Sequence, residues 1–388
     1  MTLAILALAL GGFGIGVTEF AAMGLLRPIA EGFGITEPEA GHIISAYALG
    51  VVVGAPLLTV AAARMRRRHL LLVLMAMFVV GNAAGAFAPD QTWLIAARFV
   101  AGIPHGAYFG VASLVAASMA GPGRQARSVA WVLMGLSVAN VVGVPAATWL
   151  GGMFGWQSAF LTVAVIGVLT FVAIAVTVPE PHGIERVRAA DEISALARSQ
   201  VLLTLAVGTV GFGGMFAVYS YISWTMTEVS GLDPSWMPAV LATYGVGMVV
   251  GNFLGGWLAD RDLERGMLFA LAFMTVVLLV FAVAVRHPVA GVAALFLVGT
   301  SGSALVPGLQ ARLMRYAGRG QTLAAALNHS ALNAANALGA WIGGVVIALG
   351  LGYTAPALAG AGLAVTGFVV LAFAVVAARR RRSTDDPA

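Results

Sequence analysis

Two stretches of the chain, Tyr47-Ala-Leu-Gly-Val-Val-Val-Gly54 and Tyr244-Gly-Val-Gly-Met-Val-Val-Gly251, read almost alike, and each lies in a long apolar run that ends in arginine. An offset of 197 residues separates them. The same offset, within one residue, relates further pairs: Gly34 and Gly231, Arg64 and Arg261, Asn140 and Asn336, and Gly143 and Gly339. A repeat that keeps its register over several apolar runs indicates that the chain is a duplication of one unit.

The composition places most of the chain in lipid. Of the 388 residues, 60% are hydrophobic and 10% are charged, and the mean hydropathy is +0.94. A helix that crosses a bilayer needs about 20 apolar residues. The sequence predicts twelve such helices, at 4–26, 39–62, 69–87, 92–118, 127–150, 157–178, 201–227, 236–258, 266–286, 289–315, 322–349 and 355–378.

The net charge is +5, and all of the positively charged side chains behind it are arginines, because the chain contains no lysine. The arginines concentrate in alternate short loops, which a membrane topology explains better than binding to nucleic acid. By the positive-inside rule, the arginine-rich loops and both termini are cytoplasmic. The loop arginines on this side are Arg64, Arg66, Arg67, Arg68, Arg124, Arg127, Arg186, Arg188, Arg198, Arg261, Arg265, Arg315, Arg319 and the run 379–382; Arg27 and Arg286 fall on the other side.

One internal boundary divides the chain. Residues 179–200 are its longest polar stretch, and within it 190–199 are compatible with an amphipathic helix on the membrane surface. We therefore expect an N-terminal six-helix bundle at 1–178, a cytoplasmic linker at 179–200, a C-terminal bundle at 201–378 and a cytoplasmic basic tail at 379–388. The absence of cysteine excludes disulfides and thiolate metal sites.

Several motifs carry a family resemblance over nearly the whole chain. They are Gly16-Val-Thr-Glu19-Phe20, Arg98 to Gly102, Pro104-His105-Gly-Ala-Tyr108-Phe-Gly110, Gly155-Trp156, Gly256-Trp-Leu-Ala-Asp260-Arg261, and Asn333-Ala-Ala-Asn336-Ala-Leu-Gly339-Ala-Trp341-Ile-Gly343-Gly344. Through them the chain resembles the major facilitator superfamily, and within it the drug:proton antiporter branch of arabinose-efflux-permease-like and chloramphenicol-resistance-like bacterial proteins.

The resemblance implies a fold and a mode of action. The expected fold is all-α, two bundles of six helices, working by alternating access in the bacterial cytoplasmic membrane. The expected function is proton-driven export of a small organic molecule such as a drug, sugar or metabolite. No cofactor, metal or nucleic acid is implied, and a monomer is the expectation for the family.

The titratable residues inside the predicted helices suggest proton coupling. Glu19 lies in an otherwise uncharged helix, and Arg98 lies at a similar depth in the fourth, so the two side chains could meet across a cavity. Burial favours a protonated carboxyl group and an approaching guanidinium favours the ionised one, which allows a proton to be loaded and released. His105, two turns from Arg98 on the same face, is a candidate relay. The alternatives are a static ion pair and a packed neutral histidine; for His329 we favour a structural role.

Aromatic and asparagine side chains are the candidates for contacting the substrate. A cavity that is lined by aromatic side chains and has few fixed charges suits an amphipathic or weakly polar molecule. Phe216 occupies the position of Glu19 in the second repeat, so proton coupling is expected to be asymmetric. The predicted substrate contacts are Phe20, Tyr47, Tyr108, Asn140, Tyr219, Tyr221, Asn333 and Asn336, and Trp224 and Tyr244 lie in the same segments.

Glycine, proline and charged residues mark expected gating positions. Gly143 and Pro145 lie in the glycine-rich fifth helix, which the resembled family associates with exporters, although Val144 separates them here. The resembled GxxxDR pattern is present in the second half as Gly256, Asp260 and Arg261. The first half has Ala63 at the aspartate position, so a charge latch would depend on the second copy or on other contacts.

Other classes of function make different predictions about the sequence and about transport. An uncoupled facilitator or an importer predicts that Glu19 is dispensable for transport. An intramembrane hydrolase or metal enzyme finds little support, because the sequence has no HExxH, no GxSxG and no cluster with metal-ligand spacing. A non-transporting sensor is the third possibility, and measuring flux against binding separates it from a transporter.

Overall fold

A computed structural model describes residues 2–61, 65–120, 125–180, 194–318 and 320–385. Its described part contains twelve helices long and apolar enough to cross a membrane, which confirms the predicted number. Arg64, Arg124, Arg186, Arg188 and Arg319, residues 190–193 of the predicted linker helix, and the side chains of 379–382 lie outside the described residues. In the described part of that predicted helix, Ser194–Ala197 form a short 3₁₀ helix and the next long helix begins at Ser199.

The first six helices form the N half. They are α1 Thr2–Gly24, α2 Glu37–Ala61, α3 Arg67–Ala86, α4 in two segments Gln91–Gly102 and His105–Met119, α5 from Gln125–Val138 through Ala139–Gly143 to Val144–Phe154, and α6 Gln157–Thr177. The next six form the C half: α7 Ser199–Tyr219, α8 Met237–Arg261, α9 Leu263–Ala284, α10 in two segments Pro288–Ser303 and Val306–Ala317, α11 Gln321–Ala348, and α12 Ala355–Asp385. A short connecting helix, Leu26–Phe33, follows α1.

The duplicated stretches pack in the same way in both halves. A side chain at Gly54 of α2 would collide with the backbone carbonyl of Ile103 in α4, and one at Gly251 of α8 would collide with that of Thr300 in α10. Residues 103 and 300 are again 197 apart. Small residues let helix backbones approach closely where lipid offers no hydrophobic driving force between helices. The sequence repeat therefore encodes a repeated helix contact.

The two halves meet along two seams. In one, α2 packs against α11 along much of its length; in the other, α8 packs against 139–154 of α5 and far less against 125–138. We call the end with the connecting helix the Arg27 end and the opposite end, where α3 begins at Arg67, the arginine-rich end. The α5–α8 seam thus closes at the Arg27 end and loosens toward the other.

Polar links close the Arg27 end. The Arg27 guanidinium of the N half donates to the Glu228 carboxylate at 2.7 Å and to the Thr227 hydroxyl at 2.8 Å, both in the C half. Tyr353 of the C half donates in return to Glu37 of the N half at 2.9 Å. Burial and this hydrogen bond raise the pKa of Tyr353 to about 12. The halves are therefore joined by charge and hydrogen bonding in both directions.

The fifth helix contains a feature that the sequence did not predict. Residues 139–143 form a π-helical turn, and Pro145 is the second residue of the α-helical segment that follows it. Proline has no N–H to donate, and the wider turn accommodates it within a continuous helix. Such turns occur often at functional sites, and here the Asn140 carbonyl lies against Gly245 of α8 across the seam.

Candidate functional site

Glu19 lies at the centre of the molecule, where the two halves face each other. It is 6% exposed, and it is the one acidic side chain among the described residues that is buried. The side-chain amide of Asn333, from α11 of the C half, is close enough to interact with the Glu19 carboxyl group. A movement of one half against the other therefore changes the surroundings of this carboxyl group directly.

Arg98 of α4 lies beside Glu19 without forming a direct ion pair with it. Its guanidinium donates to the Thr18 hydroxyl at 2.8 Å and to the Thr18 backbone carbonyl at 2.9 Å, and it stacks over the Tyr47 ring at 4.3 Å. The Thr18 hydroxyl lies 2.5 Å from Oδ1 of Asn82 in α3. Arg98 thus ties α4 to α1 one residue away from Glu19, close enough for the two charges to interact.

A layer of aromatic rings and histidines continues from Arg98 toward the arginine-rich end. The Tyr47 hydroxyl and Nδ1 of His105 form a hydrogen bond of 3.0 Å. The His105 ring lies 5.7 Å from that of His329 in the C half, which stacks on Phe109 at 5.3 Å. His329 is partly exposed and His105 is buried. The structure therefore connects both histidines across the α4–α11 contact, although the sequence pointed only to His105 as functional.

Aromatic side chains form the wall on the other side of Glu19. Phe20 packs against Phe216 at 6.2 Å and against Tyr219 at 6.0 Å, both in α7. Tyr219 stacks on Tyr244 of α8 with ring centroids 4.0 Å apart. Tyr47 and Tyr244 are the paired tyrosines of the repeat: Tyr47 lies under the Arg98 guanidinium, and Tyr244 lies on Tyr219, which contacts Phe20. The repeat thus places one buried tyrosine from each half near the residues that surround Glu19.

Three of the predicted substrate contacts are engaged elsewhere. The Tyr108 hydroxyl donates to the Leu8 carbonyl at 2.9 Å within the N half, and the Tyr221 hydroxyl donates to the Ala340 carbonyl at 2.9 Å toward the Arg27 end. The Asn140 amide donates to the Leu136 carbonyl of its own helix at 3.1 Å. The structure gathers the other candidates, Phe20, Tyr47, Tyr219, Asn333 and Asn336, near the central seam. The Asn333 amide nitrogen also donates to a carbonyl of its own helix, that of His329 at 3.1 Å, and leaves its Oδ1 without a hydrogen-bond partner.

The predicted gating residues divide into packed and open positions. Gly143 lies tightly against Val17 and the Phe13 ring of α1, and Pro145 follows the π-helical turn. A side chain at Gly256 would meet nothing within 4 Å, whereas one at Gly255 would collide with the Ala304 backbone. The close helix contact thus belongs to the neighbouring glycine.

The charged pair that follows Gly256 is exposed at the arginine-rich end. Arg261 stacks over Trp257 at 3.8 Å. Asp260 forms no hydrogen bond or ion pair with any residue that the structure describes. In this conformation, then, the cross-half ion pair within the described chain, that of Arg27 with Glu228, lies at the Arg27 end and not at the resembled latch.

Comparison with known proteins identifies the family. The family model of the Major Facilitator Superfamily matches residues 8–261 and 222–388. The chain belongs to the major facilitator superfamily. It is 41% identical to the inner membrane transport protein YdhP of Escherichia coli (strain K12), over 98% of this chain and 97% of that protein. It is 31% identical to a chloramphenicol resistance protein of Streptomyces lividans, over 91% of this chain and 90% of that protein.

The solved structures agree on the fold. The crystal structure of a D-xylose–proton symporter matches with a TM-score of 0.75 and 16% identity, covering 95% of this chain and 97% of that one. The family match and the relatives make this chain a multi-pass membrane transporter rather than an enzyme. They also confirm, at the level of the family, the resemblance drawn from the motifs. Among the described residues, no three histidine, aspartate or glutamate side chains gather to hold a metal ion.

This superfamily member also has a buried arginine that sequence reasoning missed. Arg312 of α10 is fully buried. It donates to the Thr204 hydroxyl at 2.5 Å and to the Gln200 side chain at 2.9 Å, both in α7, and lies 3.9 Å from Glu264. As an arginine inside the tenth predicted apolar run it was visible as an intramembrane charge. It ties α10 to α7 as Arg98 ties α4 to α1.

Proposed function

We propose that the protein is a proton-driven exporter of small organic molecules that works by alternating access, with Glu19 as the proton carrier. The observation that carries this proposal is the position of Glu19 on the seam, beside Asn333 of the opposite half. Burying an ionised carboxylate without a direct cation partner is costly. A protonated Glu19 suits the closed centre, and its ionised form suits a centre opened to water.

The surrounding contacts support an alternating mechanism. The ion pair of Arg27 with Glu228 and the bond of Tyr353 to Glu37 close one end, while α5 and α8 separate toward the other. Rocking one half against the other would break these links and expose Glu19 from the Arg27 end. Arg98, held by Thr18, would remain next to Glu19 and stabilise its ionised form when the proton leaves. His105, bonded to Tyr47, is the proposed relay toward the arginine-rich end.

The direction of transport is proposed from three supports. The positive-inside rule puts the arginine-rich end in the cytoplasm. The glycine-proline fifth helix is the one that the resembled family associates with exchange of substrate for protons. A relative named a chloramphenicol resistance protein is in line with removal of small organic compounds from a cell. All three observations favour export of the substrate, driven by protons that move inward down their gradient.

Proton movement in everted membrane vesicles tests the proposal. The vesicles are energised to an acidic interior, a panel of sugars, nucleosides and antibiotics is added, and wild type is compared with Glu19→Gln. Glu39→Gln is the matched control, because Glu39 is an exposed carboxylate at the start of α2. We expect at least one compound to release protons from wild-type and control vesicles and none from Glu19→Gln vesicles.

The alternative outcome is equally specific. Labelled compound that crosses the membrane at the same rate in wild type and Glu19→Gln, with no proton movement in either, would reject coupling. The protein would then be an uncoupled facilitator or an importer. Binding of a compound without any flux would instead indicate a sensor.

A further inference from the structure

The strongest remaining signal is a set of buried polar atoms that have no hydrogen-bond partner. Helix α11 carries more of them than any other described helix: Asn328 Oδ1, Ser330 Oγ, Asn333 Oδ1, and both Oδ1 and Nδ2 of Asn336. Leaving one such group dry costs about 1 to 3 kcal/mol. Asn333 and Asn336 are each no more than 2% exposed, so lipid and bulk water do not satisfy them.

The direction of these amides follows from their spacing and from two contacts. Residues three apart lie on the same face of a helix, so Asn333 and Asn336 share a face of α11. The Asn333 side chain interacts with Glu19 of α1. Gly339, three residues after Asn336, packs against Gly213 and Phe216 of α7. Asn333 therefore faces the N half, and Asn336 lies between that contact and α7, inside the protein and not toward lipid.

A third unpartnered group belongs to the same place. The Tyr244 hydroxyl has no hydrogen-bond partner among the described residues, and the side chain is 1% exposed. Its ring is fixed by stacking on Tyr219, which also contacts Phe20. Two amides and one hydroxyl thus face a centre whose wall is aromatic.

The charges of this centre select against an ionic ligand. Glu19 and Arg98 are the two buried ionisable side chains of this centre within the described chain, and they carry opposite charges when the centre is open to water and Glu19 is ionised. A cation that paired with Glu19 would face the nearby guanidinium of Arg98, and an anion would face Glu19. Burying a charge without full pairing is expensive. By contrast, amide and hydroxyl groups satisfy a ligand that both donates and accepts hydrogen bonds.

We propose that Asn333, Asn336 and Tyr244 form a substrate site for an uncharged compound with an amide or hydroxyl group on a flat apolar body. This inference rests on the proposed transport function and narrows its substrate class. The polar group of the ligand bonds to the two amides and the tyrosine hydroxyl. The flat body lies against Phe20 and Tyr219, where stacking on aromatic rings adds to apolar burial.

Three probes of one shape and different charge test this class. Benzamide is neutral, benzamidinium is a cation and benzoate is an anion. Their binding to the purified full chain in lipid nanodiscs is measured by saturation-transfer NMR, without any proton gradient, and empty nanodiscs provide the background. Benzamide is expected to bind with an affinity of roughly 1 to 10 mM, the range for so small a ligand. The two ions are expected to bind at least about tenfold more weakly.

Variants then locate the site. Asn336→Leu and Tyr244→Phe each remove hydrogen-bonding atoms at nearly constant volume, and each is expected to weaken benzamide binding by about three- to tenfold. Asn252→Leu is the matched control, because Asn252 is exposed on α8. Thermal unfolding of each variant verifies that it is folded.

Three results would overturn the inference: no benzamide binding at those concentrations, ions that bind as tightly as benzamide, or unchanged affinity in both folded variants. Because binding is measured at equilibrium, these failures leave the proton test of Glu19 untouched. Conversely, loss of coupling in that test leaves the binding result standing.

Discussion

The link between Arg27 and Glu228 is predicted to hold the Arg27 end closed, so removing it should populate the open state. Arg27→Met keeps the apolar stem of the side chain and removes every donor. It thereby deletes the bonds at 2.7 Å to Glu228 and at 2.8 Å to Thr227. The hydrogen bond of Tyr353 to Glu37 remains, so the closed state is weakened and not abolished.

The size of the effect follows from exposure. The side chain of Arg27 is 30% exposed and that of Glu228 is 47% exposed. An ion pair this accessible to water contributes about 0.5 to 1 kcal/mol, and the bond to Thr227 contributes about 0.5 to 1 kcal/mol more. Together they amount to about 1.5 kcal/mol, which corresponds to a roughly tenfold rise in the ratio of open to closed molecules.

A single introduced thiol reports this ratio. Thr148 is 5% exposed and lies in the seam beside Gly24 and Leu241. Its hydroxyl makes no hydrogen bond, so Thr148→Cys loses none, and the chain contains no other cysteine. The alkylation rate by an impermeant maleimide in right-side-out vesicles is proportional to the open population when opening is fast.

We expect Arg27→Met to raise the alkylation rate about tenfold over the Thr148→Cys background. Arg286→Met is the control, because Arg286 is an exposed arginine on the same side for which the structure shows no cross-half bond. Equal rates for Arg27→Met and the background would refute the reasoning, and so would an equal rise in the control.

Three further predictions concern other contacts. Tyr353→Phe should raise the Thr148→Cys alkylation rate by about threefold, equally at every pH from about 6 to 9, because the raised pKa of Tyr353 keeps its hydroxyl a donor throughout that range; a rise that disappears at alkaline pH contradicts this. Gly255→Ala should destabilise the protein by about 1 to 3 kcal/mol in thermal unfolding, because its Cβ meets the Ala304 backbone, whereas Gly256→Ala should be neutral; similar melting temperatures would count against the packing. Arg312→Ala should cost about 3 kcal/mol by leaving Gln200 and Thr204 without their donor and Glu264 without its nearby cation, while the exposed Arg315→Ala should cost little; comparable losses would mean that burial of Arg312 is unimportant.

The sequence predicted the parts of the fold that depend on length and repetition. Apolar runs long enough to cross a bilayer predicted all twelve helices. Most of their ends agree within a few residues, but the seventh was expected to reach residue 227 and α7 ends at Tyr219, while α12 continues to Asp385. The constant offset of the two tyrosine-glycine stretches predicted the duplication, and the structure adds its cause, since Gly54 and Gly251 meet carbonyls at equivalent positions. These features need only one-dimensional information.

The sequence did not predict how each helix is rotated about its own axis or which rotamer each side chain adopts. The sequence correctly placed Glu19 and Arg98 at one depth. It did not predict that the rotamer of Arg98 would direct its guanidinium to the Thr18 carbonyl and hydroxyl instead of to the Glu19 carboxylate. Gly255 and Gly256 are adjacent, and only the orientation of α8, a rotation of about 100° per residue, decides which one touches α10. Tyr108 was expected at the substrate and instead bonds to Leu8.

Asymmetry between the halves was predicted in part. Phe216 at the position of Glu19 pointed to a single carboxyl group, and the structure places that phenylalanine against Phe20 across the seam. The links of Arg27 and Tyr353 were not foreseen, because partners 201 and 316 residues apart in the chain leave no local pattern.

The most direct test of the central claim is accumulation in proteoliposomes of a labelled compound chosen from the vesicle panel, with and without an imposed pH gradient. We expect wild-type protein to accumulate the compound above its external concentration only when the gradient is present, and Glu19→Gln to carry it to equilibrium and no further. Accumulation by Glu19→Gln that still depends on the pH gradient would contradict the assignment of Glu19 as the proton carrier.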